Sequence, residues 1–423
     1  MKYKKLSLLF CVSALLVTVI AGIAQQSATE APAGFSTPSF TPGKSVSNGI
    51  VEPTGDTFAL DQTHFEENED IKKGLGPVYN ATSCVTCHQN PVTGAPSQIT
   101  EIRVGHKDNN GNFVNPTVLI NDGQNSISGR SIVNDRAICP QAQEHVPATE
   151  TIRTLRAVNN TLGDGFVEAM DDNTLIAIAN QQPQTTNGVI HGEAVEVAIF
   201  EAPGQTRVGR FGWKDQHGSL LSFVSDAYLN EMGITNRLRP VDTTTVCKTT
   251  TDPEDQPDNL GLADIDHFAQ FVRGTMVPPR DTALAATPDA IAGQHIFEQL
   301  QCSTCHVESI TTAAAGTVLN GGNFTIPDAL GNKVIHPFGD FLLHDIGTGD
   351  GIIQGGPADT APKLRTSPLW GLRTKSRFMH DLKTFSVQGA IARHQGEAAQ
   401  AADGFTVLTT KQQKQLLTFL NSL

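Results

Sequence analysis

The chain has 423 residues, a formal net charge of −13, and 39% hydrophobic against 17% charged residues. Such a composition builds a packed core, so wholesale disorder is excluded, and the length suggests two or three domains. The acidic balance argues against a nucleic-acid-binding protein, which needs a basic surface. The 38 glycines and 23 prolines, with only 6% aromatic residues, predict a protein rich in loops.

Residues 1–24 have the pattern of a secretory signal peptide. Three lysines stand near the start, an apolar run follows from Leu6 to Ile20, and small residues end at Ala24. An uncleaved membrane anchor is the alternative, because the apolar run nearly reaches the length of a membrane-spanning helix. We expect export to the periplasm, cleavage near Ala24 and no stable membrane insertion after the leader is removed.

The next segment, residues 25–60, is rich in Ser, Thr, Pro and Gly and predicts an extended arm. Residues 89–153 carry many turn residues and few helical signals, which indicates an insertion or irregular packing. Apolar residues at helical spacing predict helices elsewhere. These helices are expected over 61–74, 163–180, 217–232, 263–272, 289–300 and 410–423.

Six cysteines follow the leader, and four of them fall in two copies of one short pattern. The copies are Cys84-Val85-Thr86-Cys87-His88 and Cys302-Ser303-Thr304-Cys305-His306. C-x-x-C-H is the attachment signature of c-type haem, since two thiols add across the vinyl groups and the adjacent histidine reaches the iron. A zinc site would need further Cys or His ligands at metal spacing, and a redox-active cysteine pair would not need a histidine after both motifs. The sequence therefore predicts two covalently bound haems with His88 and His306 as iron ligands.

The other two cysteines of the exported chain are Cys139 and Cys247. An even number of remaining thiols in an oxidising compartment favours a disulfide between them. Sequence alone does not give their separation, so this pairing is a hypothesis at this point.

The order of helix, C-x-x-C-H motif, loops and terminal helix in the second half resembles a cytochrome c fold, and the first half resembles an enlarged version of it. We therefore predict a mainly α fold with long loops and two cytochrome c-like domains, each holding one covalently attached haem. The first domain is expected over 61–277, the linker over 278–288 and the second domain over 289–423.

Several local phrases resemble the di-haem cytochrome c peroxidase and MauG superfamily, and more narrowly its di-haem oxidoreductase branch, often labelled thiol oxidoreductase. Apart from the haem motifs, each of these short segments alone is weak evidence of a relationship. Their order along the chain carries the resemblance, over roughly residues 60 to 423. The phrases are Gly209-Arg210-Phe211-Gly212-Trp213-Lys214, Asn230-Glu231-Met232-Gly233-Ile234-Thr235, Leu342-Leu343-His344-Asp345-Ile346-Gly347, Arg365-Thr366-Ser367-Pro368-Leu369-Trp370-Gly371-Leu372, Met379-His380-Asp381 and Ala390-Ile391-Ala392-Arg393-His394-Gln395-Gly396-Glu397-Ala398.

The resemblance implies different roles for the two haems. The C-terminal haem of the superfamily transfers electrons, and its distal ligand matches His394, so His306 and His394 are expected to hold that iron. The N-terminal haem is the catalytic one, with a displaceable distal histidine for which His106 is the candidate. The alternative for His106 is an exposed hairpin, because Asp108-Asn109-Asn110-Gly111 follows it.

Two more residues receive roles from the same resemblance. Glu231 matches an acid near the catalytic haem, and a carboxylate suits that place because it accepts a proton and returns it. The alternative is an ordinary carboxylate at a helix end. Trp213 matches a tryptophan that relays electrons between the haems, and its alternative is a large core side chain. Calcium between the domains is a further feature of the superfamily and is left open here, since no phrase matches its ligands.

The leading hypothesis is a periplasmic, peroxidase-like di-haem c-type oxidoreductase. Its expected partners are a periplasmic electron carrier, either a small cytochrome or a cupredoxin, and a small substrate such as peroxide. Two alternatives stay open: an electron-transfer cytochrome with both irons six-coordinate, and a MauG-like oxidase of a protein substrate. Spin state separates them, because an iron with an open axial position makes a catalyst and one with two strong ligands makes a carrier.

Overall fold

The computed structural model describes residues 27–35, 46–53 and 55–423. The predicted signal peptide lies outside these residues, as does part of the predicted arm. Of the described residues, 31% are helical and 17% lie in strands. The prediction of a mainly α fold is therefore wrong, and the fold is a mixture of helices and many small sheets.

The α-helices of the described chain follow most of the predicted spans. They are α1 (Phe58–Glu66), α2 (Cys84–Cys87), α3 (Asp164–Glu168), α4 (Asp172–Thr185), α5 (Leu220–Met232), α6 (Asp264–Gly274), α7 (Thr282–Ala285), α8 (Pro288–Gln299), α9 (Val387–Ala392), α10 (Ala399–Val407) and α11 (Thr410–Leu420).

The strands are short, and half of them lie in the first 150 residues. They are β1 (Thr29–Glu30), β2 (Val78–Tyr79), β3 (Thr100–Lys107), β4 (Phe113–Val114), β5 (Thr117–Ile120), β6 (Ser126–Ser128), β7 (Ile132–Val133), β8 (Arg136–Ala137), β9 (Glu144–His145), β10 (Ile152–Ala157), β11 (Glu196–Ala198), β12 (Thr206–Val208), β13 (Ile310–Thr311), β14 (Val318–Leu319), β15 (Phe324–Thr325), β16 (Lys333–Ile335), β17 (Leu343–His344) and β18 (Leu364–Arg365).

The turn-rich segment 89–153 is the source of the wrong fold class. Strands β3, β4, β7 and β10 form one antiparallel sheet there, and β6, β5 and β9 form another. Apart from β3 and β10, these strands have two to four residues, which is too short to display the two-residue alternation that identifies a strand. Their pairing depends on contacts between distant residues, which the sequence pattern does not display.

The predicted arm is extended where it is described, and it pairs with the second half of the chain. Strand β1 runs parallel to β16, with Thr29 opposite Lys333. Helix α1 begins at Phe58, inside the predicted arm, after Thr57 caps its first turn. The predicted linker over 278–288 contains the short helix α7. The division into two domains stays a prediction.

Two apolar cores surround the two motifs. The larger core gathers α1, α3, α5 and α6 and includes Phe65, Tyr228 and Phe268. The smaller core lies where α8 crosses α11, with the rings of Phe297 and Phe419 centred 5.3 Å apart. A Cβ at Gly293 would lie 2.0 Å from the Gln415 carbonyl oxygen, so only glycine allows these two helices to approach so closely.

The predicted disulfide is confirmed. Cys139 and Cys247 are bonded, with Cα atoms 6.5 Å apart and a sequence separation of 108. The bond ties the segment of small sheets to the loop that follows α5. Within the described ranges, no helix is both long enough and apolar enough to cross a membrane.

Candidate functional site

The second motif begins directly after α8. Cys302 opens a single 3-10 turn that ends at Thr304, and His306 follows. The Nδ1 atom of His306 donates a hydrogen bond of 2.9 Å to the carbonyl oxygen of Phe338. This bond fixes the orientation of the ring and places the proton on Nδ1, so Nε2 keeps its lone pair. Histidines at metal sites are commonly held in the same way through their second nitrogen.

His394 lies opposite His306, just after α9. Its Nδ1 donates a 2.8 Å hydrogen bond to the Ala390 carbonyl oxygen one helical turn earlier, so its Nε2 is also left free for a ligand. The two ring centroids are 6.5 Å apart. A metal ion bound to imidazole nitrogens at about 2.0 Å on each side places the ring centroids about 6 Å apart. The structure therefore brings these two predicted ligands together at the spacing that one metal ion between them requires.

A cavity of about 260 Å³ surrounds this histidine pair. Its wall includes Cys302 and Cys305 together with apolar side chains of α8, α9 and α11. Burial lowers the pKa of His306 to about 4 and also lowers the pKa of His394. Both imidazoles are consequently neutral at pH 7 and present lone pairs rather than charges.

Cations line another part of the same cavity. Arg365, Lys375 and Arg377 all contribute to its wall. Burial, with Arg365 as a second cause, lowers the pKa of Lys375 to about 8. A ligand that carries carboxylates, as haem does in its propionates, would place negative charge beside these cations.

A network of acids lies beneath the second motif. His344 donates from Nε2 to Asp340 at 2.9 Å and from Nδ1 to Glu397 at 2.8 Å. Its Nδ1 is also 3.7 Å from the Cys305 sulfur. Asp340 is the largest cause that raises the pKa of His344, while the hydrogen bond from His344 holds the pKa of Glu397 down at about 2, against the effect of burial. The network fixes the segment that carries His394 against the motif.

The first motif forms the short helix α2, capped by Ser83. Burial lowers the pKa of His88 to about 4. Its Nδ1 is buried and finds no hydrogen-bond partner among the described residues, while the Phe65 ring packs edge-on against it with centroids 6.0 Å apart. A buried nitrogen without a hydrogen-bond partner needs an explanation, and a neutral histidine beside a bound group provides one.

Glu231 lies beside this motif. The side-chain amide of Asn80 donates to it at 2.8 Å, and Glu231 shares a hydrogen bond with the carboxyl group of Glu101. Burial, followed by the charge of Glu101, raises the pKa of Glu231 well above its ordinary value. Burial also raises the pKa of the Cys87 thiol to about 12, and the two carboxyls add to that shift, which shows their proximity.

Glu101 is held in the charged form by an arginine. Arg103 Nε donates to it at 2.5 Å, and this charge lowers the pKa of Glu101 despite burial. Of the two acids, Glu231 is therefore the one that holds its proton more tightly, and Glu101 is the one that ionises first. Sequence reasoning missed Glu101, whose only signal is its position two residues from Arg103 on one face of β3.

Trp213 lies between the two motif regions. It lines the cavity of the second motif, and its Nε1 donates a 2.7 Å hydrogen bond to the Ala157 carbonyl oxygen. Asn159, two residues further on, also lines that cavity, and its backbone lies beside His88, where it opposes the effect of burial on the pKa of that histidine. The segment 157–159 thus connects Trp213 to the first motif. His380, edge-on to Trp213 at 6.1 Å, lines the same cavity and received no role from the sequence.

His106 is placed apart from these groups. It lies on β3 and pairs with Val114 across the hairpin to β4, and its Nδ1 bonds Glu150 at 2.8 Å. Strand alternation puts His106 on the face opposite Glu101 and Arg103. The turn at Asp108–Asn112 forms the exposed hairpin that was the alternative. No contact of the described residues joins His106 to His88, so its role as a distal ligand stays a prediction.

Comparison with known proteins gives a family. The family model described as "Di-haem oxidoreductase, putative peroxidase" matches residues 148–423, well over half of the chain. The chain therefore belongs to the di-haem oxidoreductase family, and it is an oxidoreductase with haem cofactors. The match includes the second motif, Glu231 and Trp213, and it begins after the first motif.

Relatives of known structure are distant. The hydrazine synthase of Kuenenia stuttgartiensis, solved under xenon pressure, aligns with 99% of this chain and 100% of its own at 12% identity and a TM-score of 0.41. A MauG-like protein associated with microbial copper homeostasis aligns with 38% of this chain and 52% of its own at 17% identity and a TM-score of 0.25. No curated protein matches the chain. Neither structural likeness carries an argument about function.

Proposed function

We propose that this protein is a periplasmic, peroxidase-like di-haem c-type oxidoreductase. In this proposal Cys84 and Cys87 attach one haem through thioethers, and Cys302 and Cys305 attach the other. The observation that carries it is the pair of neutral histidines, His306 and His394, facing each other across a cavity beside the second C-x-x-C motif.

The second site is proposed as the electron-transfer centre. The Phe338 and Ala390 carbonyls hold His306 and His394 in the tautomer that presents Nε2, so both axial ligands are preorganised. Two strong axial ligands leave no position for a substrate, which suits electron transfer. Trp213 on the cavity wall is proposed to relay electrons toward the first motif, along the segment that reaches His88.

The first site is proposed as the catalytic centre. A haem iron with one open axial position supplies peroxide binding and the electrons for cleavage of the oxygen–oxygen bond. Reduction of one peroxide to two waters consumes two electrons and two protons, and a periplasmic cytochrome or cupredoxin is the proposed electron donor. Glu231 carries the proton and the ionised Glu101 accepts one, so this pair is suited to move a proton between the two peroxide oxygens.

The test is the spin state of each iron in the oxidised and half-reduced protein, measured by electron paramagnetic resonance. One low-spin and one high-spin signal, together with peroxide turnover, are expected. Two low-spin signals in every redox state and no turnover would show an electron carrier instead. Slow turnover with a long-lived oxidised state after peroxide addition would favour the oxidation of a protein substrate.

A substitution of His394 tests whether the low-spin signal comes from an iron held by His306 and His394. His394→Ala is expected to convert it to high spin, and added imidazole is expected to restore it by filling the same place. His295→Ala is the control, because that histidine lies on α8 with its side chain exposed. An unchanged low-spin signal in His394→Ala would contradict the proposed ligand pair.

A further inference from the structure

The charge of the chain is distributed unevenly, and positive charge is concentrated around the second motif. The whole chain has a net charge of −13, yet residues 361–423 contain nine lysines and arginines against three acids. Part of this basic segment lines the cavity around His306 and His394. The net charge alone favours a basic partner, but the surface beside a redox site decides which partner docks there, because interfaces match opposite charges locally.

Residues 378–384 form a hairpin that closes one side of this cavity. Phe378 pairs with Thr384 through an antiparallel bridge, and its backbone N–H donates to the Thr384 carbonyl oxygen at 2.9 Å. Phe378, His380 and Leu382 contribute to the cavity wall. The hairpin therefore separates the proposed haem site from solvent, and its outer side is a surface from which a redox partner can reach that site.

Three exposed side chains lie on or beside this hairpin. Phe385 is 70% exposed and is the aromatic residue among the large apolar side chains that the described part of the chain leaves exposed. The guanidinium carbon of Arg377 lies 4.7 Å from the centroid of its ring, and the Lys383 side chain is 69% exposed. Arginine and aromatic side chains are enriched in protein interfaces and commonly contribute most of the binding energy there.

The positive charge of this surface is not neutralised by neighbouring acids. Among the ion pairs of the described residues, none involves Lys375 or Arg377. The one acid of the hairpin, Asp381, is buried and accepts hydrogen bonds from Arg393 at 2.9 Å and 2.8 Å. Its carboxylate is 3.9 Å from Lys383 Nζ, which is too long for a hydrogen bond. Arg377 and Lys383 therefore face solvent with their charges available to a partner.

We propose that Arg377, Lys383 and Phe385 form the docking surface for an acidic electron-carrier protein. The inference rests on the proposed function, which assigns electron transfer to the second site. Carboxylates of the carrier meet Arg377 and Lys383 and steer its approach, while an apolar area of the carrier covers Phe385. A small contact of this kind suits a transient redox complex. The carrier gives one electron to the second site in each encounter, so two encounters supply the two electrons that one peroxide consumes.

The experiment measures how fast a reduced carrier reduces the oxidised holoprotein, by stopped-flow absorbance in the absence of oxygen and peroxide. An acidic cupredoxin and a basic cytochrome c are the two probes. The second-order rate constant with the acidic cupredoxin is expected to fall on the order of tenfold between about 10 mM and about 1 M ionic strength, because salt shortens the Debye length from about 30 Å to about 3 Å. With the basic cytochrome c the rate constant is expected to rise over the same range, because salt screens its repulsion from the surface.

Lys383→Glu reverses one charge of the surface and leaves the cavity wall intact, since Lys383 does not line the cavity. At low ionic strength this variant is expected to react about tenfold more slowly with the acidic cupredoxin, with a flatter salt dependence. Lys72→Glu is the matched control, because Lys72 is an exposed lysine in the 3-10 turn Ile71–Lys73, before the first motif. It changes the net charge equally and is expected to react like the parent.

Phe385→Ala tests the apolar part of the surface. It removes contact area but no charge, so the rate constant with the acidic cupredoxin is expected to fall at every ionic strength, with the salt dependence of the parent. Val241→Ala is the control, since Val241 is 74% exposed in the loop that follows α5. Equal rate constants in these two variants would exclude Phe385 from the surface.

A rate constant with the acidic cupredoxin that does not fall with ionic strength would overturn the proposal, as would equal effects of Lys383→Glu and Lys72→Glu. Peroxide turnover by the parent protein with hydroquinone, a small neutral electron donor that needs no docking surface, tests the proposed function separately. Failure of the docking surface and failure of the proposed function are thus distinguishable.

Discussion

The two C-x-x-C-H regions differ in the secondary structure and the side chains that surround the motif. The second region is helical: α8 leads into the motif, α11 crosses α8, and α9 carries His394 to a position opposite His306. The first region is enclosed by short strands and by a pair of coupled carboxyl groups, and the contacts of the described residues show no second histidine facing His88.

Under the proposed function, this difference would separate a haem site with two protein ligands from one with a single ligand. Two neutral histidines whose ring centroids are 6.5 Å apart would hold an iron from both sides. At the first motif, the group that lies close to the motif is an acid pair in which the pKa of Glu231 is raised and that of Glu101 is lowered. A carboxyl pair is suited to proton transfer rather than to iron ligation, which is why the proposed function places the chemistry at the first region.

The largest expected effect comes from removing the attachment cysteines. Cys84→Ser/Cys87→Ser and Cys302→Ser/Cys305→Ser should each lose one haem from the denatured chain, as measured by intact mass. In the native state the results should diverge. The second site should retain its haem without thioethers, because two histidines still hold it, while the first site should lose its haem. Cys139→Ser/Cys247→Ser is the control and should keep both. Equal retention of native haem by both pairs of variants would remove the difference between the regions.

The next effect concerns the acid pair. Glu231→Gln is expected to slow peroxide turnover by about 10²–10⁴-fold, the usual contribution of a positioned acid–base group, with both haems retained. Glu168→Gln is the control, since this buried acid pairs with Arg273 rather than with either motif. A rate per folded enzyme equal to that of the parent in Glu231→Gln would exclude this residue from proton transfer.

The same pair gives a pH prediction with a definite sign. Because the pKa of Glu231 is raised by burial and by Glu101, its protonated form persists to higher pH than in an ordinary glutamate, and turnover should fall as the pH rises through that pKa. Glu101→Gln removes the neighbouring negative charge, so the pKa of Glu231 should fall and the alkaline limb should move to lower pH. A pH–rate profile of both proteins measures this shift, and a limb that stays in place would contradict the coupling.

The smallest expected effect tests the path between the regions. Trp213→Phe keeps an aromatic ring but loses the Nε1–H that bonds Ala157. Electron transfer between the haems should slow on the order of tenfold, about 1.4 kcal/mol of barrier, with unchanged spectra of both haems. Stopped-flow reduction measures it. Trp370→Phe is the matched control, because Trp370 is buried and its indole nitrogen has no hydrogen-bond partner among the described residues. Equal rates in the two variants would show Trp213 to be a packing residue.

The helices could be predicted because each carries its own signal. The expected spans 217–232 and 289–300 correspond to α5 and α8, whose ends are marked by Ser219, Gly233 and the Thr287–Pro288 start. Capping residues and helical periodicity act within a few residues, so they are legible in one sequence. Most strands of 89–153 are too short to carry such local signals, and the mainly α prediction failed there.

The sequence by itself determined the features that depend on residues adjacent in the chain. These are the two C-x-x-C-H motifs with their histidines, and the two cysteines that remain after them. Only the tertiary structure decided which groups meet, because contacts between residues far apart in sequence leave no local periodicity. It brought Glu101 to Glu231, placed His344 beneath Cys305, directed His106 toward Glu150, and stacked His64 on His267. Burial then raised the pKa of Glu231, since removal from water disfavours the charged form, whereas Arg103 and Asp340 outweighed burial at Glu101 and His344.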